Sequence, residues 1–368
     1  MRKVTATLGL ILFAAAAGGA PAAGQMRRVP GTVREELRLD RAPPEVIRPR
    51  RTWTMAFVLL TDPDTDTTTP AFAAKLAKVE YMRQRVGRYF RVATGSLGAL
   101  RPSAQVYVLQ PDGYIPDVRV GPTNLLYAFV QSVTRLLYER TADEWDFIAI
   151  YEDYPDKQVT ARHLYVQNEA ASSGLDLFDM SADYGSQGRL LGVGLVWDVN
   201  DMPAAYDFSH SRMHLLLHET IGHQYGVHLE ALAKPGAHFD LGIEAPSFTV
   251  MYGRPWVRLD DTHFTTAEVM DPDRGHFLIT FHPWIMYIMG LKGRSEVPAR
   301  IMKVHPDTLP AHRYDLVTTT GTFEWISFHQ LFPYERVVPD VRLRAVPWNR
   351  LRDLIRARRA PPYERLPR

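Results

Sequence analysis

His210-Ser211-Arg212-Met213-His214-Leu215-Leu216-Leu217-His218-Glu219-Thr220-Ile221-Gly222-His223-Gln224-Tyr225-Gly226-Val227-His228 is the stretch on which the reading of this chain turns. The run Leu215-Leu216-Leu217 favours a buried helix. Buried His and Glu side chains need partners there, because each unmatched polar group costs a few kcal/mol. A metal ion is one such partner. The usual zinc-helix pattern, H-E-x-x-H, sets two His four residues apart, with the Glu as general base. Here the spacing is H-E-x-x-x-H, with His223 five residues after His218. On a regular α-helix that step leaves the two rings roughly 140° apart. A single-turn π-bulge near Thr220–Gly222 would absorb the extra residue, and Gly222 would ease the distortion. Two other ligand sets stay open: the ladder His210, His214, His218, which shares a helical face without any bulge, and the pair Glu219/His223. Without a metal, His218 and His223 would be helix-surface residues in packing or capping roles.

Working outward, His218-Glu219-Thr220-Ile221-Gly222-His223 resembles the HExxxH zinc helix of dipeptidyl peptidase III over these six residues. A broader resemblance is to secreted bacterial metzincin-like proteins. Their zinc helix continues as H-x-x-G, matched by His223-Gln224-Tyr225-Gly226, and a Met-turn follows, matched by Thr249-Val250-Met251-Tyr252-Gly253. The segment Phe281 to Leu291, with Ser295-Glu296-Val297-Pro298, is similar to a "YLMGL…EVP" helix of exported zincins. Together these motifs cover residues 185–300. The chain departs from the family where the third histidine of HxxGxxH would fall, at Leu229.

The resemblance implies an α+β, zincin-like catalytic domain with a mixed sheet, a zinc helix and a Met-turn. It implies Zn²⁺ on His218 and His223, Glu219 as general base, and a protein or peptide as substrate. Tyr252 is a candidate oxyanion stabiliser or an aromatic lid. For the third ligand, His238 is preferred, because His238-Phe239 matches a His-aromatic pair in related exported zincins. His228, two residues after Gly226, is the next choice, and Asp240 and Glu244 are carboxylate options of the His₂Glu kind. Two other functions share these residues: a zinc-dependent amidase, and a non-catalytic secreted binding or scaffold protein on a degenerate zincin fold.

Upstream of the histidines, hydrophobic periodicity predicts strands at Trp53–Leu60, Gln105–Leu109, Asp146–Tyr151 and Leu190–Trp197. It predicts helices over 71–92, around Leu126–Leu137 and from Ala204 to Tyr225. Residues 163–187 read as loop. Downstream, Pro283–Leu291 reads as a helix, 300–345 as short strands and 346–360 as an Arg-rich terminal helix. The acidic run Asp62, Asp64, Asp66 lacks the Gly and terminal Glu of an EF-hand and reads as a solvated turn, as does Asp271 to Gly275. This gives a catalytic domain over 52–299 and a β-rich extension with a basic end over 300–368.

The ends of the chain differ from its middle. Residues 1–51 hold ten Lys/Arg against four acidic residues and 341–368 hold nine against two, which leaves 52–340 with 24 basic and 35 acidic residues. A folded acidic middle argues against nucleic-acid binding, which needs a basic face. Arg2-Lys3, the apolar stretch Leu8–Ala17 and the small residues to Gly24 predict a cleaved signal peptide over 1–24, with an Arg/Pro-rich lead-in over 25–51. Secretion or periplasmic location follows, with no stable membrane insertion, because no apolar run is long enough to span a bilayer. Oligomeric state is not encoded in any motif. The chain has no Cys, so a metal site must be built from His, Asp and Glu.

Overall fold

The computed structural model describes residues 49–111, 123–142, 144–154, 161–169, 173–202, 210–228, 232–234, 238–269, 278–309 and 315–331. The expected signal peptide, all but the end of the lead-in, the 271–275 turn and the terminal helix lie outside them.

The strand β1 (Arg51–Thr61) is apolar without a break from Met55 to Leu60 because both of its faces are covered there. Trp53, Met55, Phe57 and Leu59 face one core, shared with helix α1 (Pro70–Ala93) and with Met213, Leu216 and Ile221 of the histidine helix. The alternate residues Ala56, Val58 and Leu60 face a second core, built with Leu126, Val130, Val133 and Leu137 of helix α2 (Thr123–Arg140). Helix α1 starts at Thr69, whose hydroxyl oxygen accepts the Phe72 N–H at 3.2 Å, with Pro70 in the first turn.

Strand β1 lies between β2 (Gly98–Leu109) and β3 (Phe147–Asp153) in a five-stranded sheet whose other members are β4 (Arg162–Tyr165) and β5 (Gly192–Asp198). The order is β2-β1-β3-β5-β4; the first four strands are parallel, and β4 runs antiparallel along β5 at the edge. The fold is thus mixed α+β. Two expectations need correction here. Strand β2 starts at Gly98 rather than Gln105, because the register shift opposite Met55–Phe57 interrupts its alternation at Pro102 and Ser103. The stretch from 163, expected as loop, begins with the edge strand β4. Its helix-facing positions carry His163 and Tyr165 instead of aliphatic residues, which hid its alternation.

A second, antiparallel sheet joins β6 (Trp256–Arg258), β7 (His263–Thr266), β8 (Arg300–Pro306) and β9 (Thr318–Ser327) in the order β6-β7-β9-β8, around Trp256, Phe264, Met302 and Val304. The strands after residue 300 therefore pair with strands before it. Among the described residues, no helix is long and apolar enough to cross a membrane. Asp62, Asp64 and Asp66 are exposed, and Asp66 Oδ1 accepts the Thr68 N–H at 2.9 Å in a turn of the ordinary Asx kind.

The histidine helix, α3 (His210–Leu217), runs directly into a π turn over His218–Gly222. It lies against β5 where that strand is bare: a Cβ on Gly194 would stand 2.6 Å from Thr220 Cγ2 and 2.9 Å from the Glu219 carbonyl oxygen. This glycine sets how close helix and sheet can come.

Candidate metal centre

In the π turn the His223 N–H donates to the His218 carbonyl, five residues back. The inserted residue is absorbed where the HExxxH spacing requires it. Thr220 Oγ1 also donates to the Leu216 carbonyl at 2.6 Å, a bond that bends helices. Gly222 does not supply left-handed backbone, since it is not among the residues of positive φ. Its bare Cα instead makes room for Met251: a Cβ there would lie 2.6 Å from the Met251 sulphur.

The turn brings His218 and His223 to one side, where His238 meets them. One ring nitrogen from each of the three lies within 4.8 Å of the others. The His218 and His238 Nε2 atoms are 3.0 Å apart. Tetrahedral zinc with Zn–N near 2.0–2.1 Å has N···N edges of about 3.3 Å, so the spacing suits nitrogens that share a small cation. His218 Nδ1–H donates to the Val250 carbonyl at 2.7 Å. That fixes the tautomer and leaves the Nε2 lone pair directed at the cluster. Burial, then the neighbouring imidazoles of His214 and His223, push the His218 pKa well down, so the ring is neutral and ready to ligate. These three imidazoles could hold a metal ion.

The other candidates are placed elsewhere. His214 Nε2–H donates to the same Val250 carbonyl at 3.0 Å, so His214 supports the site from behind and is not a ladder ligand. His228 is not in the cluster: its Nε2 lies 3.0 Å from the Tyr165 hydroxyl, and its backbone N–H donates to the Ser173 carbonyl. The Tyr165 hydroxyl donates to the His223 carbonyl at 3.0 Å, which makes His228 the donor to Tyr165. Glu244 Oε2 accepts the Met302 N–H at 2.8 Å, and Asp240 Oδ1 accepts the Gly242 N–H at 2.9 Å. Asp240 thus holds local backbone, and Glu244 ties its segment to strand β8.

Glu219 flanks the cluster. Its oxygens stand 3.9 Å from His218 Nε2 and 3.6 Å from His223 Nε2, and the side chain is buried. His238 sits on the short strand His238–Phe239, and the Phe239 N–H donates to the Met251 carbonyl at 2.9 Å, which ties the third imidazole to the Met251 turn. Behind it, Phe239 packs edge-on to His282, whose Nδ1 accepts the Trp284 N–H and whose Nε2–H donates to the Glu244 carbonyl. Burial brings the His282 pKa down to about 4. Tyr252 stacks on His238 at 4.6 Å and on His218 at 5.1 Å between ring centroids. It does so from a φ of 80°, which costs a non-glycine residue roughly 1–2 kcal/mol.

The sequence reading missed His163 and Tyr165. His163 Nδ1–H donates to the Glu219 carbonyl at 2.8 Å, and its Nε2 lies 3.1 Å from Gln224 Oε1. Gln224 in turn donates to the Gln167 carbonyl at 2.7 Å. Burial lowers the His163 pKa to about 4, so the ring is neutral. The alternation His163-Leu164-Tyr165-Val166, with Leu164 and Val166 buried in the second core, was the available signal. No family model and no curated protein matches the chain.

Proposed function

We propose that this is an exported, zinc-dependent peptidase with a zincin-like catalytic domain. The observation that carries the reading is the convergence of His218, His223 and His238 with the Glu219 carboxylate at its side. Three imidazoles, with the fourth position left to water, are a donor set of catalytic zinc. When bound, zinc supplies Lewis acidity, which lowers the pKa of a water towards ~7 and polarises the scissile carbonyl. Glu219 takes the proton from the attacking water and passes it to the leaving amine. Its buried carboxylate lies close enough to the imidazole nitrogens to reach a water placed between them. The Tyr252 ring walls one side of the cluster and limits how a substrate chain can lie over it.

The fold supports the same reading, with a mixed sheet, an antiparallel edge strand beside the helix, and a methionine turn beneath the histidines. The test is zinc titration of the metal-free protein followed by an assay on a generic protein substrate. Stoichiometric zinc with zinc-dependent hydrolysis is expected. Tight zinc binding without hydrolysis would identify a binding scaffold instead.

A further inference from the structure

The edge strand β4 donates hydrogen bonds to the backbone of the histidine helix on both sides of its inserted residue: His163 Nδ1–H to the Glu219 carbonyl (2.8 Å) and the Tyr165 hydroxyl to the His223 carbonyl (3.0 Å). On a regular α-helix the His223 N–H would donate to the Glu219 carbonyl, four residues back. Here it goes to the His218 carbonyl instead, and His163 supplies a donor to the Glu219 carbonyl. That exchange accompanies the extra residue, which is also the condition for His218 and His223 to face one ion.

We propose that His163 is a positioning residue that selects the π register of the metal helix and so sets the spacing of its two ligands. The proposal rests on the zinc-centre reading above. Its surroundings are built for this task. A Cβ on Gly192 would clash with the His163 ring, so that glycine makes the space the ring fills, and Gly194 does the same for the Glu219 carbonyl. Two residues along the same face of β4, Tyr165 donates to the carbonyl of His223 at 3.0 Å. Strand β4 therefore holds the helix on both sides of the insertion. Without these contacts, His218 O could take its hydrogen bond from Gly222, and His223 would rotate out of the cluster.

The experiment compares wild type, His163→Phe, His163→Asn and His163→Leu in the full chain, first stripped of metal. Zinc affinity is read by competition with a chromophoric chelator. Coordination geometry is read from the visible spectrum at saturating cobalt(II), which stability alone does not alter. His163→Phe keeps an aromatic ring and loses the donor to the Glu219 carbonyl. It should bind zinc ~10–100-fold more weakly and give an altered cobalt spectrum. His163→Asn places an amide N–H where Nδ1 was and should recover part of the affinity. His163→Leu, which also lacks the donor, should weaken binding by a similar factor. Wild-type affinity and spectrum in both His163→Phe and His163→Leu would overturn the proposal; if His163→Phe does not fold, His163→Leu decides alone. A wild-type chain that takes up neither metal would instead sink the zinc-centre reading itself.

Discussion

Gly222 and Met251 meet so closely that a Cβ built on Gly222 would lie 2.6 Å from the methionine sulphur. The methionine turn therefore reads the π turn directly, through a residue with no side chain. The Leu217 carbonyl oxygen and Val250 Cγ1, at 3.1 and 3.2 Å, close off the other directions. Gly222→Ala should destabilise the protein by about 1–3 kcal/mol, the usual cost of overpacking. Met251→Ala alone should also destabilise, by about 2–5 kcal/mol, because it empties a fully buried position. In the double variant the new methyl group fills part of that space, so its loss should fall short of the sum of the two single losses by at least ~0.5 kcal/mol. Urea denaturation of the four proteins measures the coupling, and strictly additive losses would show that the contact carries no energy.

Much of the fold could be read from the chain because its strongest signals are periodic. Strand β1 is built on the unbroken apolar run Met55–Leu60, and α1 repeats its apolar residues at helical intervals, so both were legible to within a residue or two. The centre was legible for a different reason: a spacing of five between His218 and His223 is chemically useful only if the helix is deformed, and the deformation was the inference. The edge strand escaped notice because it spans four residues and devotes its helix-facing positions to His163 and Tyr165, which are chosen for hydrogen bonds rather than burial. His228 misled because proximity in sequence to Gly226 says nothing of which way the chain leaves the helix. Its ring ends on Tyr165.

The third ligand can be settled by single substitutions. His238→Ala should abolish stoichiometric zinc binding, since its Nε2 is 3.0 Å from that of His218. His228→Ala, Asp240→Ala and Glu244→Ala should each retain one zinc per chain. Metal content after dialysis, measured by atomic absorption, reports all four. A His238→Ala protein with full zinc content would remove His238 from the site.

Acid should destabilise the metal-free protein in a defined window. The His282 ring has a folded pKa of about 4 against an ordinary 6.5. Between those values the unfolded chain binds a proton that the folded chain refuses, so stability is full above pH 6.5, falls as the pH drops, and levels off below pH 4. The loss is on the order of 3 kcal/mol. His163, also near 4, acts in the same direction. His282→Asn keeps a good helix cap for Trp284 and cannot titrate. Its stability should therefore fall less steeply than that of wild type between pH 6.5 and 4. Parallel slopes for the two proteins would show that His282 does not carry the effect.

On the proposed peptidase reading, Glu219 separates catalysis from metal binding. Its oxygens lie 3.6 and 3.9 Å from the Nε2 atoms of His223 and His218, close enough to act on a water beside them, yet the three imidazoles form the cluster without it. Glu219→Gln keeps the size and the buried polar character while removing the base. The variant should bind zinc with affinity close to wild type, and hydrolysis should fall by ~10²–10⁴-fold, the scale of a lost general base. The drop should appear in kcat, because a proton transfer made only in the transition state is what disappears. Loss of zinc from Glu219→Gln would point elsewhere. The carboxylate would then be a ligand, and the pair Glu219/His223, four residues apart, would become the better description of the centre.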